Sequence, residues 1–168
     1  MNRKDTTEFL GTLLKNQRLN NGGGKYWASE VSLDYGTENV RRIDFLQFNP
    51  QNQFSISGIE KGIFICYEIK SCKADFHSGY GQNFVGEKNY LVMPMQTYKE
   101  VINEIPSHIG VLCPIPIGRD TYDEFTSPTE LTDDSGMWHL VNVRNPVPQN
   151  RTRSMTELLF CILRSGQK

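Results

Sequence analysis

Arg41-Arg42-Ile43-Asp44-Phe45-Leu46 and, beyond a turn, Cys66-Tyr67-Glu68-Ile69-Lys70 are the two stretches on which the fold of this chain turns. Both have the apolar, aromatic and β-branched content of strands, and Asn49-Pro50-Gln51-Asn52 between them is a turn signal. We expect strands from Val40 to Phe48 and from Gly62 to Lys70, with Phe54 to Ile56 extending the hairpin. So short a link leaves little room for a crossover helix, which makes antiparallel pairing the economical reading. Side chains alternate between the faces of a strand. That rule puts Arg42, Asp44, Leu46 and Phe48 on one face of the first stretch. In the second, Phe64, Cys66, Glu68 and Lys70 share one face, and Ile63, Ile65, Tyr67 and Ile69 the other. A strand apolar on both faces belongs to a sheet covered by helices on each side.

Upstream, Tyr26 to Leu33 reads as another strand, closed by Asp34-Tyr35-Gly36. Before it, Phe9, Leu10, Leu13 and Leu14 recur at helical spacing, predicting a helix from Thr6 to Leu19 capped by Asp5 with Glu8. The triple glycine Gly22–Gly24 is not followed by Gly-Lys-Ser/Thr, so it reads as a connector rather than a phosphate loop. Downstream, Ser71 to Lys88 is polar and punctuated by glycine, suited to a short or broken helix or a mobile lid. A strand (Asn89 to Met93), a helix (Thr97 to Ile105) and a strand (Ile109 to Ile115) then form a parallel βαβ pattern. Residues 119–134 read as an acidic loop, Trp138 to Val143 as a last strand, and Ser154 with Glu157 as the capping box of a final helix.

The expectation is one α/β (α+β) domain over residues 1–168, with its core at about 26–115 and a C-terminal strand and helix within 138–164. At 168 residues, 22% charged and net charge −1, the chain is no bulk polycation, and nucleic acid would have to meet a local basic patch. No apolar run approaches the roughly 20 residues of a membrane span, and Met1 to Leu14 lacks a signal-peptide core, so a cytoplasmic protein is expected. Cys66, Cys72, Cys113 and Cys161 form no C-x-x-C pair and read as reduced, buried thiols.

The chemistry lies in Asp44, Glu68 and Lys70. Glu68 and Lys70 emerge at the C-terminal end of a mostly buried strand, and burying a carboxylate without a partner costs several kcal/mol. A divalent cation held by Asp44 and Glu68, with the backbone carbonyl of Ile69 as a further oxygen, would compensate. Such hard ligands suit Mg²⁺, which keeps several waters and takes one or two carboxylates plus substrate phosphate. The Lys70 ammonium, two residues on, would orient water or neutralise charge developing on phosphate. The plainer alternative is a solvated Glu-x-Lys edge pair. A carbohydrate acid–base pair of Glu30 and Glu68 is a third option, though the adjacent lysine suits phosphate better.

Asp44 followed by Glu68-Ile69-Lys70 resembles the PD-(D/E)XK nuclease superfamily. More closely, Arg41-Arg42-Ile43-Asp44 and Glu68-Ile69-Lys70-Ser71-Cys72-Lys73-Ala74-Asp75-Phe76 resemble the MmcB-like DNA-repair group and related phage proteins. The resemblance covers about Ala28 to Ile115. It implies a restriction-endonuclease-like three-layer αβα sandwich with a central mixed sheet. It also implies a Mg²⁺-dependent deoxyribonuclease, with Mn²⁺ able to substitute, acting as an endonuclease in DNA repair, recombination or phage DNA metabolism. Asp44 and Glu68 then match the metal carboxylates, Lys70 the catalytic lysine, and Glu30 the acidic residue that often precedes the motif. Asp44 follows Ile43 rather than proline, a departure the superfamily tolerates. A homodimer would supply two sites for two strands, and some members have lost activity, which leaves a catalytically inactive DNA- or partner-binding module as the alternative.

Lys73, His77 and Gln82, just after the motif, are candidate DNA contacts; Lys73 and Gln82 read equally as solvated loop residues, and a surface-loop histidine is the plainer account of His77. Glu30 is otherwise a cross-strand partner for Arg41 or Arg42. Ser71 either bonds a metal-bound water or satisfies the strand end. Arg151 and Arg153, with Arg164 and Lys168, form a candidate phosphate-tracking patch, or else complement a helix terminus.

Overall fold

The computed structural model describes residues 1–21 and 26–168, so the Gly22–Gly24 connector and Lys25 lie outside the described residues. Six strands form one mixed sheet in sequence order: β1 (Trp27–Leu33), β2 (Arg41–Asn49), β3 (Ile63–Ile69), β4 (Lys88–Val92), β5 (Gly110–Pro116) and β6 (Trp138–Arg144). β1, β2 and β3 pair antiparallel, β3, β4 and β5 parallel, and β6 closes antiparallel on β5. The six α-helices of the described residues are α1 (Arg3–Leu14), α2 (Ile56–Glu60), α3 (Lys73–His77), α4 (Met95–Val101), α5 (Thr121–Thr126) and α6 (Met155–Ser165). This is a three-layer α+β sandwich, as the two-sided apolar pattern of β3 requires. Among the described residues no helix is long and apolar enough to cross a membrane.

Helix α1 covers one face, packing Phe9, Leu10, Leu13 and Leu14 against Phe45, Tyr67, Ile69, Val92 and Leu112. On the other face α6 sets Leu158, Cys161 and Ile162 against Leu46, Phe48, Phe64 and Cys66. Beside it α4 sets Met95, Tyr98 and Val101 against Leu91, Val111 and Cys113. The alternation of β3 is therefore fulfilled: Phe64 and Cys66 face α6, Tyr67 and Ile69 face α1. The parallel β4–α4–β5 unit is present, and the Ser154 hydroxyl accepts from the Glu157 N–H at 3.2 Å to open α6. All four cysteines are free thiols, three buried and Cys72 partly so.

Three local expectations are corrected. Helix α1 starts earlier than Thr6, because the Asn2 side chain, as good a cap as Asp, accepts from the Asp5 N–H at 3.0 Å. It continues as a π-helical turn over Lys15–Leu19. Phe54 to Ile56 does not extend the hairpin. Asn52 accepts from the N–H groups of Phe54 and Ser55, Ser55 caps α2, and Phe54 is 96% exposed. The acidic segment is not all loop: Asp120 caps α5, and buried Glu124 is held by Arg119 at 3.2 Å and by Thr129.

Phe64 has no exposed surface and its ring lies 5.0 Å from that of Phe48 in the layer under α6. Truncating it leaves a cavity, so Phe64→Ala is expected to lose about 3–5 kcal/mol of stability in urea unfolding. Phe54→Ala, at the exposed turn, is expected to change stability by no more than about 0.5 kcal/mol.

Candidate active site

The site is opened by a departure from regular sheet geometry. In the β1–β2 register Ser29 opposes Phe45 and Val31 opposes Ile43, which leaves Glu30 and Asp44 between them without a ladder pair. Glu30 has φ +51°, a left-handed conformation that non-glycine residues rarely adopt. On β2 both Ile43 and Leu46 pack under α6 while Phe45 packs under α1, so the alternation slips by one residue around Asp44. Asp44 therefore does not simply continue the face of Leu46 and Phe48. A local break in a ladder is one means of re-aiming a side chain. The β2–β3 ladder itself ends at Phe45–Tyr67, and beyond it the strands part.

Into that gap Asp44 extends its carboxylate, whose Oδ2 accepts from the Ile69 N–H at 2.8 Å. Strand β3 is held on its other side by β4, where the Lys70 N–H still donates to the Val92 carbonyl at 2.9 Å. Glu68 and Lys70 are thus fixed at the end of a strand paired along one edge. Glu68 is 0% exposed and Lys70 3%. Among the described residues neither Glu68 oxygen makes a hydrogen bond of ordinary distance and angle, though the Asp44 carboxyl and the Asn83 N–H act on it. Burial above all, then the negative charge of Asp44, pushes the Glu68 carboxyl up to about 10, against the pull of the Lys70 ammonium. Burial also raises Asp44, with the Ile69 N–H opposing it. Two acids this close titrate as a pair, and the pair keeps a proton at neutral pH.

The loop after α3 lies over these groups. The Lys70 ammonium donates to the Tyr80 carbonyl. Gly81, at φ +69°, lies so close that a Cβ there would stand 2.8 Å from Glu68 Oε2 and 3.4 Å from Lys70 Nζ. Only glycine satisfies both that backbone conformation and that approach. The resulting cleft, about 650 Å³, is lined by Arg3, Arg41, Arg42, Asp44, Lys70 and Tyr80 among others. Buried Asp75 shapes its wall, accepting from the Ser71 N–H at 3.0 Å, the Ser71 hydroxyl at 3.1 Å and Arg3 at 2.6 Å. Ser71 therefore satisfies the strand end.

Asp44, Glu68 and Lys70 come together: Asp44, Ile69 and Lys70 line the cleft, and Glu68 is fully buried beside them, outside its lining. Glu30 faces Asp44 in register, but its exposed carboxylate pairs with Arg42 at 3.7 Å and Lys168 at 3.8 Å. Its place is that of a cross-strand partner, and among the described residues no third His, Cys, Asp or Glu joins the acidic pair in a metal-binding group. Lys73 is exposed on α3, His77 Nε2 lies 2.7 Å from Glu104, and the Gln82 amide donates to the Phe76 carbonyl at 3.2 Å. The C-terminal arginines are engaged elsewhere, Arg151 with Glu87 at 2.6 Å and Arg153 with Asp34 at 2.7 Å and Glu157 at 3.0 Å. Sequence reasoning missed Arg3, Asp75 and Tyr80 as parts of the cleft. A signal exists for Tyr80 alone: two glycines flank it, Gly79 at φ +72° and Gly81 at φ +69°.

The donor set fits a divalent cation: two hard carboxylates, one of them buried without a hydrogen bond of ordinary geometry, beside the Ile69 peptide. Solvent and substrate oxygens would complete the shell, as Mg²⁺ prefers. No family model, curated protein or solved structure matches this chain.

Without divalent cations, the raised Glu68 carboxyl makes the folded chain bind more protons than the unfolded chain between its ordinary 4.5 and about 10. Stability is therefore expected to be greatest below the unfolded value and to fall as pH rises through that window. Glu68→Gln carries no titrating group and is expected to flatten the slope and to exceed the native chain in stability at pH 8. Urea unfolding in chelator across the pH range measures both effects.

Proposed function

We propose that this chain is a metal-dependent nuclease that hydrolyses phosphodiester bonds in DNA. The observation that carries the reading is the buried Glu68 carboxyl, without a hydrogen bond of ordinary geometry, beside the Asp44 and Lys70 side chains that line the cleft. A buried acid without such a bond is a standing cost, and a cation is the partner that its neighbours best suit. Asp44 and Glu68 would hold Mg²⁺, with the Ile69 carbonyl contributing, and Mn²⁺ would substitute. Such an ion polarises the phosphodiester and lowers the pKa of its water towards neutrality.

The chain's own groups supply the rest. The Ile69 N–H keeps Asp44 oriented through the bond to Oδ2. Lys70 exchanges the Tyr80 carbonyl for a phosphate oxygen and neutralises the charge that grows as the bond to phosphorus forms. Its ammonium is already desolvated, so that interaction is stronger than it would be in water. Arg41 and Arg42 at the exposed start of β2, and Arg3 held by Asp75, stand where the flanking phosphates would pass. None of residues 119–134 lines this cleft, so the acidic segment does not oppose an incoming strand there.

One observation favours a second reading, a non-catalytic DNA-binding module on the same scaffold: the Tyr80 carbonyl already occupies the lysine. The two readings separate in one set of assays. A nuclease is expected to cut oligonucleotides with Mg²⁺ or Mn²⁺ and to stop in chelator. Lys70→Ala is expected to slow cleavage by about 10²–10³-fold, and Asp44→Asn to abolish Mn²⁺ uptake in calorimetry. A module is expected to bind DNA without cleavage and to take up no Mn²⁺.

A further inference from the structure

We infer that Tyr80 is a base-stacking residue and that the strand entering this cleft is single-stranded or frayed at the scissile position. The inference rests on the nuclease reading above and adds the substrate's form. Tyr80 is 82% exposed although it adjoins one of the most buried polar clusters in the molecule. Gly79 at φ +72° and Gly81 at φ +69° flank it, and the left-handed turns on either side hold the intervening residue out from the loop. Its backbone carbonyl contacts the Lys70 ammonium, so the ring belongs to the residue that touches the phosphate-directed cation. Tyr80 itself lines the cleft.

Aromatic side chains displayed beside a cationic groove are the means by which proteins hold unpaired strands, since every base offers a π-face. The cleft has that second element too: Arg3, Arg41, Arg42 and Lys70 outnumber Asp44 and Asp75 among its lining side chains. In a duplex the base faces are covered by their neighbours, and a ring at the cleft mouth meets only sugar and phosphate. Burial argues in the same direction. With Glu68 at 0% and Lys70 at 3% exposure, the scissile phosphate must descend below the surface. A single strand does this with its own flexible backbone, whereas a duplex must be bent or opened first.

The test measures binding apart from cleavage, by fluorescence anisotropy in chelator. It uses the full chain, a labelled oligothymidylate, the same strand made duplex, and the same strand with abasic sites. The native chain is expected to bind the single strand more tightly than the duplex. Tyr80→Ala is expected to weaken single-strand binding about tenfold and to leave duplex and abasic binding nearly unchanged, while Tyr80→Phe keeps the native affinity. Thermal unfolding of Tyr80→Ala should match the native chain, because the ring is exposed. Tighter binding of the duplex overturns the inference, as does a loss in Tyr80→Ala that is equal for all three probes or absent. If Mn²⁺-dependent cleavage persists in either case, the nuclease reading survives and the stacking role alone falls. No binding of any probe together with no cleavage removes both.

Discussion

A carboxyl group buried without a hydrogen bond of ordinary geometry governs this molecule. Glu68 sits at the end of a central strand, completely covered, with both oxygens unsatisfied among the described residues. In an apolar core such a group would be neutralised or replaced, since an unpaired buried polar group costs more than most single contacts return. Here burial and a neighbouring acid hold it neutral, and a neighbouring ammonium pulls the other way. Asp44 adds like charge, Lys70 adds opposite charge, and Gly81 removes the side chain that would otherwise fill the space. Groups whose titration is displaced by burial and by named neighbours in a cleft are characteristic of sites that do chemistry.

The scaffold makes this possible by breaking its regularity beside the site. Helices α1, α4 and α6 seal both faces of the sheet, and the ladders of β3, β4 and β5 are parallel and unbroken through the centre. Between β2 and β3 the ladder stops at Phe45–Tyr67, and the strained Glu30 lies opposite Asp44 on the neighbouring strand. Backbone strain tends to persist where the surrounding packing over-determines it. The packing here does so: Ile43 and Leu46 are both committed to the core under α6, and Asp44 is left to bridge to the Ile69 peptide instead.

The basic residues divide into two populations that a charge count does not distinguish. Arg151 and Arg153 staple the C-terminal segment to Glu87 and Asp34, and Arg144 donates to the carbonyls of Pro106 and Ile109. Arg3, Arg41 and Arg42 instead gather at the cleft mouth. With a net charge of −1, the chain attracts anions only where its geometry concentrates cations.

By itself the sequence determined the strands, their antiparallel hairpin, the two-sided burial of β3, the βαβ unit and the final helix cap. These follow from periodicity and turn chemistry, which act over a few residues. It also singled out Asp44, Glu68 and Lys70, because a two-residue spacing on a strand holds Glu68 and Lys70 to one side. The tertiary structure alone decided which arginines reach the cleft and how Asp44 is aimed. Arg3 finds Asp75 72 positions away and Arg153 finds Asp34 119 away, and no local pattern ranks one arginine above another for such pairings. The alternation rule assumes an unbroken ladder, so it misassigned the face of Asp44 where the ladder breaks. Tyr80 gained its place from a loop held by glycine conformations, by the Lys70 contact and by the bonds of Gln82 and Asn83 to the carbonyls of Phe76 and Arg42. Long-range packing chooses among the many partners that local rules leave equivalent, and the site was built by that choice.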